Sequence, residues 1–178
     1  MINNLSLYIS KKLIEKYEEE MPVLNILKYS IKFLIVNLLP VLFLLILSMI
    51  TGGLTNYIKA MIGFALLRQV SGGYHIKRAE LCVVISTSSI FLIANFSYLL
   101  SGYVDSMNLI SLLLVLIFSP SNIEEQTRVN KKYHFVFKIL SVIFIILSMY
   151  ISDVVFSVAI IFQCLLLIYI PLKEVKIK

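Results

Sequence analysis

The chain has 178 residues, of which 60% are hydrophobic, with a mean hydropathy of +0.94 and a formal net charge of +6. Soluble domains are about 45–50% apolar, so this composition excludes an ordinary water-soluble fold. The excess lies in long continuous runs that do not alternate, which disfavours a transmembrane β-barrel, and the charge sits in the connectors, where it reads as a topology signal and not as a nucleic-acid footprint.

Residues 1–30 form a charged cytoplasmic segment. Within them, NNLSLYISKKLIEKYEEE (3–20) repeats Leu5, Tyr8, Ile9, Leu13 and Tyr17 near helical spacing. This predicts an amphipathic helix ending at Met21–Pro22. It either lies at the membrane interface or packs on the protein's own cytoplasmic loops. The segment does not read as a cleaved signal peptide.

A bilayer core of about 30 Å takes roughly 20 apolar residues per helix. The first span is expected at about 31–50, with Pro40 kinking its middle, as membrane helices tolerate. A turn at Thr51–Gly52–Gly53 leads into 54–67, the weakest span, which is short and carries Lys59. It reads as a full crossing or a re-entrant segment, and charge alternation favours the crossing. Further spans follow at about 80–100, 107–119, 135–151 and 153–171. The expectation is an all-α polytopic membrane protein: one integral-membrane domain over 1–178 with six transmembrane helices and an N-terminal interfacial helix.

The connectors TGGLTNY (51–57), SGYVDSMN (101–108) and YISD (150–153) contain no Lys or Arg, whereas those between them are basic. By the positive-inside rule both termini, the 68–82 segment and the 120–134 connector lie on the cytoplasmic side.

The polar chemistry concentrates in RQVSGGYHIKRAELC (68–82). Cys82 opens the third long apolar run. Helix-entrance amides, with Lys77 and Arg78, favour a thiolate there. His75 can act as a base at neutral pH, and a Cys–His pair suits covalent acyl transfer. A straight helix over 75–82 would separate the two by about 10 Å along its axis. The pair therefore requires the chain to leave the helix between His75 and the span and fold back, and Gly72–Gly73 just upstream make a bend there cheap.

Each of these residues also has a bland reading: a packing cysteine, an interfacial histidine, a turn. Composition alone balances an enzyme against a non-enzymatic membrane protein such as a small peptide exporter or channel. Charges inside spans mark transport paths; Lys59 is the one clear case, which argues against ion-coupled transport. His134 and Cys164 read as structural, and two cysteines make no disulfide framework. There is no four-ligand zinc spacing, no HExxH and no nucleotide motif, so no metal and no cofactor are expected.

The segment from Arg68 through Gly72–Gly73 and His75 to Cys82, seven residues after the histidine, resembles the signature of the AgrB family of bacterial membrane endopeptidases. Length, a charged N-terminal segment, multiple spans and a basic loop from Pro120 to Lys132 agree with it, although that loop lacks a second proline before its basic residues. The resemblance implies a multi-pass protein of the bacterial cell membrane that cleaves an AgrD-like precursor peptide on its C-terminal side through an acyl-enzyme thioester. An internal thiol or hydroxyl of the peptide then closes a thiolactone or lactone ring. Cys82 would be the nucleophile and His75 the general acid/base. Arg68 and Gly73 match positions tied to activity, Gly72 belongs to the same element, and Glu80 or Ser86 could orient His75. A homodimer is a reasonable assembly for so small a membrane enzyme.

Overall fold

The computed structural model describes residues 2–17, 22–73, 79–121 and 133–168, and every regular element among them is helical. In chain order these are α1 (Ile2–Lys16), α2 (Leu24–Thr51), α3 (Leu54–Ser71), α4 (Ala79–Phe96), a 3₁₀ segment (Ser97–Tyr103), α5 (Val104–Phe118), α6 (His134–Ile151) and α7 (Val154–Leu165). Among the described residues, three stretches are long and apolar enough to cross a bilayer: Leu24–Thr51, Glu80–Phe118 and His134–Ile151; Val154–Leu165 is apolar but shorter.

The 28 residues of α2 span about 42 Å at 1.5 Å each, so the helix starts seven residues before the apolar run at 31 and passes through Pro40 without interruption. The 39 residues of Glu80–Phe118 would reach roughly twice a bilayer core. The tight 3₁₀ segment breaks them into α4 and α5, four residues earlier than the expected 101–108 turn. Asp105 in the first turn of α5 suits the positive end of that helix.

The chain forms two compact units, Met1–Tyr57 with Ile76–Phe91 and Ile58–His75 with Leu92–Lys178. In the first, α1 packs on α2. The residues α1 buries are Ser6 and Ser10, while Leu5 and Tyr8 of the expected apolar stripe stay 47% and 58% exposed. Small side chains four apart let two helices approach closely. Both hydroxyls are satisfied within α1, Ser10 donating to the Ser6 carbonyl (2.6 Å) and Ser6 to that of Asn3 (3.0 Å). Tyr57 is buried at the start of α3, its ring edge-on to Phe91 at 6.3 Å and its hydroxyl 3.2 Å from Thr51 Oγ1.

In the second unit, cross-contacts define helix direction. Ser148 Oγ donates to Asn108 Oδ1 (3.2 Å) and Ser119 Oγ to Ser141 Oγ (3.3 Å), so the start of α5 meets the end of α6 and the reverse. These two helices are antiparallel. Lys59 near the start of α3 pairs with Asp153 at the N-cap of α7, and Gly72 at the end of α3 meets Gln163 near the end of α7. α3 and α7 therefore run parallel. Gly63 lies between them, where an added Cβ would come 3.2 Å from Ala159 Cβ. Gly72 also bridges to Ser121 beyond α5, which brings the C-terminal ends of α3, α5 and α7 together.

The core of this unit is Leu67, Val115, Ile145, Ile160, Cys164 and Leu167. Around it burial is inverted relative to a soluble protein. Ser111, Ser141, Ser148 and Ser157 are fully buried, while Leu109, Leu113, Ile117, Ile146 and Leu147 are exposed. Lipid removes the hydrophobic drive for leucines to turn inward, and small hydroxyl residues then form the helix contacts. Lipid around these helices is the physical reason for this pattern.

α7 ends sooner than the expected 153–171, with Leu166 and Leu167 donating to the carbonyls of Gln163 and Cys164 in a tightened final turn. α3 instead runs four residues past 67, to Ser71. The weak apolarity of α3 is compensated by partners on α7, which no local window contains.

Candidate active site

The site motif begins on α3. Arg68 lies in its last turn, with the guanidinium carbon 5.5 Å from the Phe64 ring centroid, a cation–π distance. One N–H also points at Gln163 Oε1 at 3.5 Å. The helix stops at Ser71 because Gly72 and Gly73 follow with φ of +72° and +122°. Only glycine adopts the second of these without strain. The glycine pair is held on two sides. Gln163 Nε2 donates to the Gly72 carbonyl at 2.8 Å. Ser121 donates its N–H to the Ser71 carbonyl (2.9 Å), and its own carbonyl accepts from the Gly73 N–H (2.8 Å). A Cβ on Gly73 would lie 3.0 Å from the Leu166 carbonyl oxygen and 3.2 Å from Gln163 Nε2. α3 thus ends at Gly72–Gly73, two residues before His75, while the departure expected between His75 and the span falls outside the described residues. His75, with Lys77 and Arg78, lies outside the described residues.

Cys82 is the fourth residue of α4. It is partly buried, about 80° around the axis from buried Ile90 and about 60° from exposed Ile85, so it flanks the buried face of α4. Neither Cys82 nor Cys164 is in a disulfide. Ser86, one turn on at about 40° around the axis, shares the face of Cys82. Glu80, two residues before, points about 160° away. Its Oε1 accepts from the Ile2 N–H at 3.3 Å, a carboxylate at the positive end of α1. Of the two residues expected to orient His75, Ser86 is thus on the thiol's side of α4 and Glu80 is engaged with α1.

His134 opens α6. Cys164 is fully buried in the core, its Sγ 3.7 Å from the Ser111 carbonyl oxygen. Two residues that sequence reasoning passed over matter here. Gln163 is a lone amide in an apolar run, yet its fully buried side chain reaches the glycine pair. Asp153 marked a span end; it both caps α7, accepting from the Phe156 N–H at 3.0 Å, and neutralises Lys59.

No curated protein and no solved structure matches this chain. The family model described as Accessory gene regulator B does, over residues 2–173. With that match across nearly its whole length, the chain belongs to the AgrB family, membrane proteins that act in the processing of quorum-sensing peptides.

Proposed function

We propose that the protein is a membrane cysteine endopeptidase that cleaves an AgrD-like precursor and promotes cyclisation of the released part. Family membership over residues 2–173, together with the Arg68…Gly73…His75…Cys82 constellation, carries the reading. The Cys82 thiolate attacks the scissile carbonyl carbon. His75, having taken the thiol proton, gives it to the departing amine as the C–N bond breaks, and a thioester remains on Cys82. An internal thiol or hydroxyl of the bound fragment then attacks that carbonyl, closes the ring and returns the sulfur as leaving group. A partly dry interfacial pocket favours this step over hydrolysis by water.

The place of Cys82 in the first turn of α4, at a helix entrance, supports this assignment. So does the glycine elbow, because α3 ends there, before His75, and does not continue through the motif. Lys59 is paired with Asp153, which leaves it a structural role and weakens the transport alternative. The parallel run of α3, α5 and α7 supports six spans with both termini cytoplasmic, since spans two, four and six of such a topology all descend toward the cytoplasm. In that arrangement Arg68 and the elbow lie at the cytoplasmic face.

Co-expression of the precursor with Cys82→Ala or His75→Ala tests the proposal. Uncleaved precursor should accumulate with both. Continued processing by Cys82→Ala would remove the nucleophile assignment and with it the mechanism.

A further inference from the structure

We propose that Gln163 is a positioning residue, whose carboxamide ties the Gly72–Gly73 elbow to α7 and so sets where the chain carrying His75 begins. The inference rests on the function proposed above and extends it to a residue outside the motif.

Gln163 has no solvent exposure, and Ile160, Cys164 and Leu167, its neighbours three, one and four residues away along the chain, are equally buried. Leucine would suit such surroundings, because burying an amide is costly unless its hydrogen bonds are made. They are made, to the motif. Nε2 donates to the Gly72 carbonyl at 2.8 Å and Oε1 faces Arg68 Nη1 at 3.5 Å. A flipped amide would set two oxygens against each other at Gly72 and two donors against each other at Arg68, so both partners select the same orientation. The elbow is pressed onto this side chain, since a Cβ on Gly73 would come 3.2 Å from Nε2. Ser121 closes the opposite side through its two backbone hydrogen bonds. With α3 and α7 fixed in parallel register by Lys59–Asp153 at the far end, Gln163 is the polar contact that holds the near end.

The test uses the full chain in native membranes and reads iodoacetamide alkylation of each cysteine by mass spectrometry across pH. His75→Ala should slow Cys82 alkylation at pH 7 by about three- to tenfold as thiolate is lost. Gln163→Leu and the same-sized Gln163→Glu, which lacks the donor to Gly72, should slow it in the same direction while His75 remains in place. Cys164 should stay unreactive in all of them, and precursor processing by the Gln163 variants should fall at least tenfold. If His75→Ala leaves Cys82 alkylation unchanged, the Cys–His reading fails whatever Gln163 does. If His75→Ala slows it but Gln163→Glu reacts like wild type, the positioning role is overturned. Faster Cys82 alkylation with newly reactive Cys164 in both Gln163 variants would also overturn it, because that is what general loosening produces.

Discussion

Replacement of Gly73 by alanine tests whether the elbow is built as described. Gly73 has φ of +122°, where an L side chain costs about 1–3 kcal/mol. The new Cβ also meets the Leu166 carbonyl oxygen at 3.0 Å, and backbone cannot swing aside as a flexible side chain would. Overpacking of this kind adds roughly 1–3 kcal/mol, for a total of about 2–6 kcal/mol. At about 2–4 °C per kcal/mol for a chain of this size, the apparent Tm should fall on the order of 4–24 °C. A thiol-reactive dye that reports exposure of buried Cys164 in detergent-solubilised Cys82→Ala protein measures it. Two other glycines calibrate the scale. Gly63→Ala keeps helical geometry but meets Ala159 Cβ and Phe156 Cδ2 at 3.2 Å, for about 1–2 kcal/mol. Gly102→Ala has nothing within 4 Å and should stay within about 0.5 kcal/mol of wild type. A Gly73→Ala Tm equal to that of Gly102→Ala would refute the argument.

The Lys59–Asp153 pair is 39% and 20% exposed at its two side chains, so breaking it should cost about 1–3 kcal/mol, less than a fully buried pair. Asp153→Ala should lower the Tm more than Lys59→Met, because it also removes the α7 cap, worth about 1 kcal/mol; equal effects would contradict the capping role. Ser10→Leu should separate α1 from α2 at a cost of about 1–3 kcal/mol, whereas Leu5→Ser should be near neutral in the same dye assay. In a Cys82→Ala, Cys164→Ser background, Gly102→Cys should react with an impermeant maleimide on intact cells, and Asn130→Cys only after permeabilisation. Labelling of Gly102→Cys from the cytoplasmic side alone would overturn the six-span topology.

Much of the helical architecture could be read along the chain, because lipid-facing helices need apolar side chains nearly all round and so leave long runs. α2, α6 and the α4–α5 stretch were legible for that reason. α3 was harder. Lys59 and Arg68 dilute its apolarity, and its length to Ser71 depends on Asp153, Ala159 and Gln163, which lie 90 or more residues away. Which face α1 turns to α2 was not legible, because amphipathic counting follows leucine and tyrosine. Against α2 the close approach of two backbones favours Ser6 and Ser10 instead. In the site, the motif could be found by residue type and spacing, and the helix break by the two glycines.

By itself, then, the amino-acid sequence determined that this is a helical membrane protein and where its polar motif is concentrated. Both are written in local composition and short-range spacing. Only the tertiary structure decided that α3 and α7 run side by side, that Lys59 is an ion-pair partner, and that Gln163 holds the elbow. Each of these depends on a contact between side chains far apart in the chain, and no periodicity encodes which distant polar group a buried one will meet.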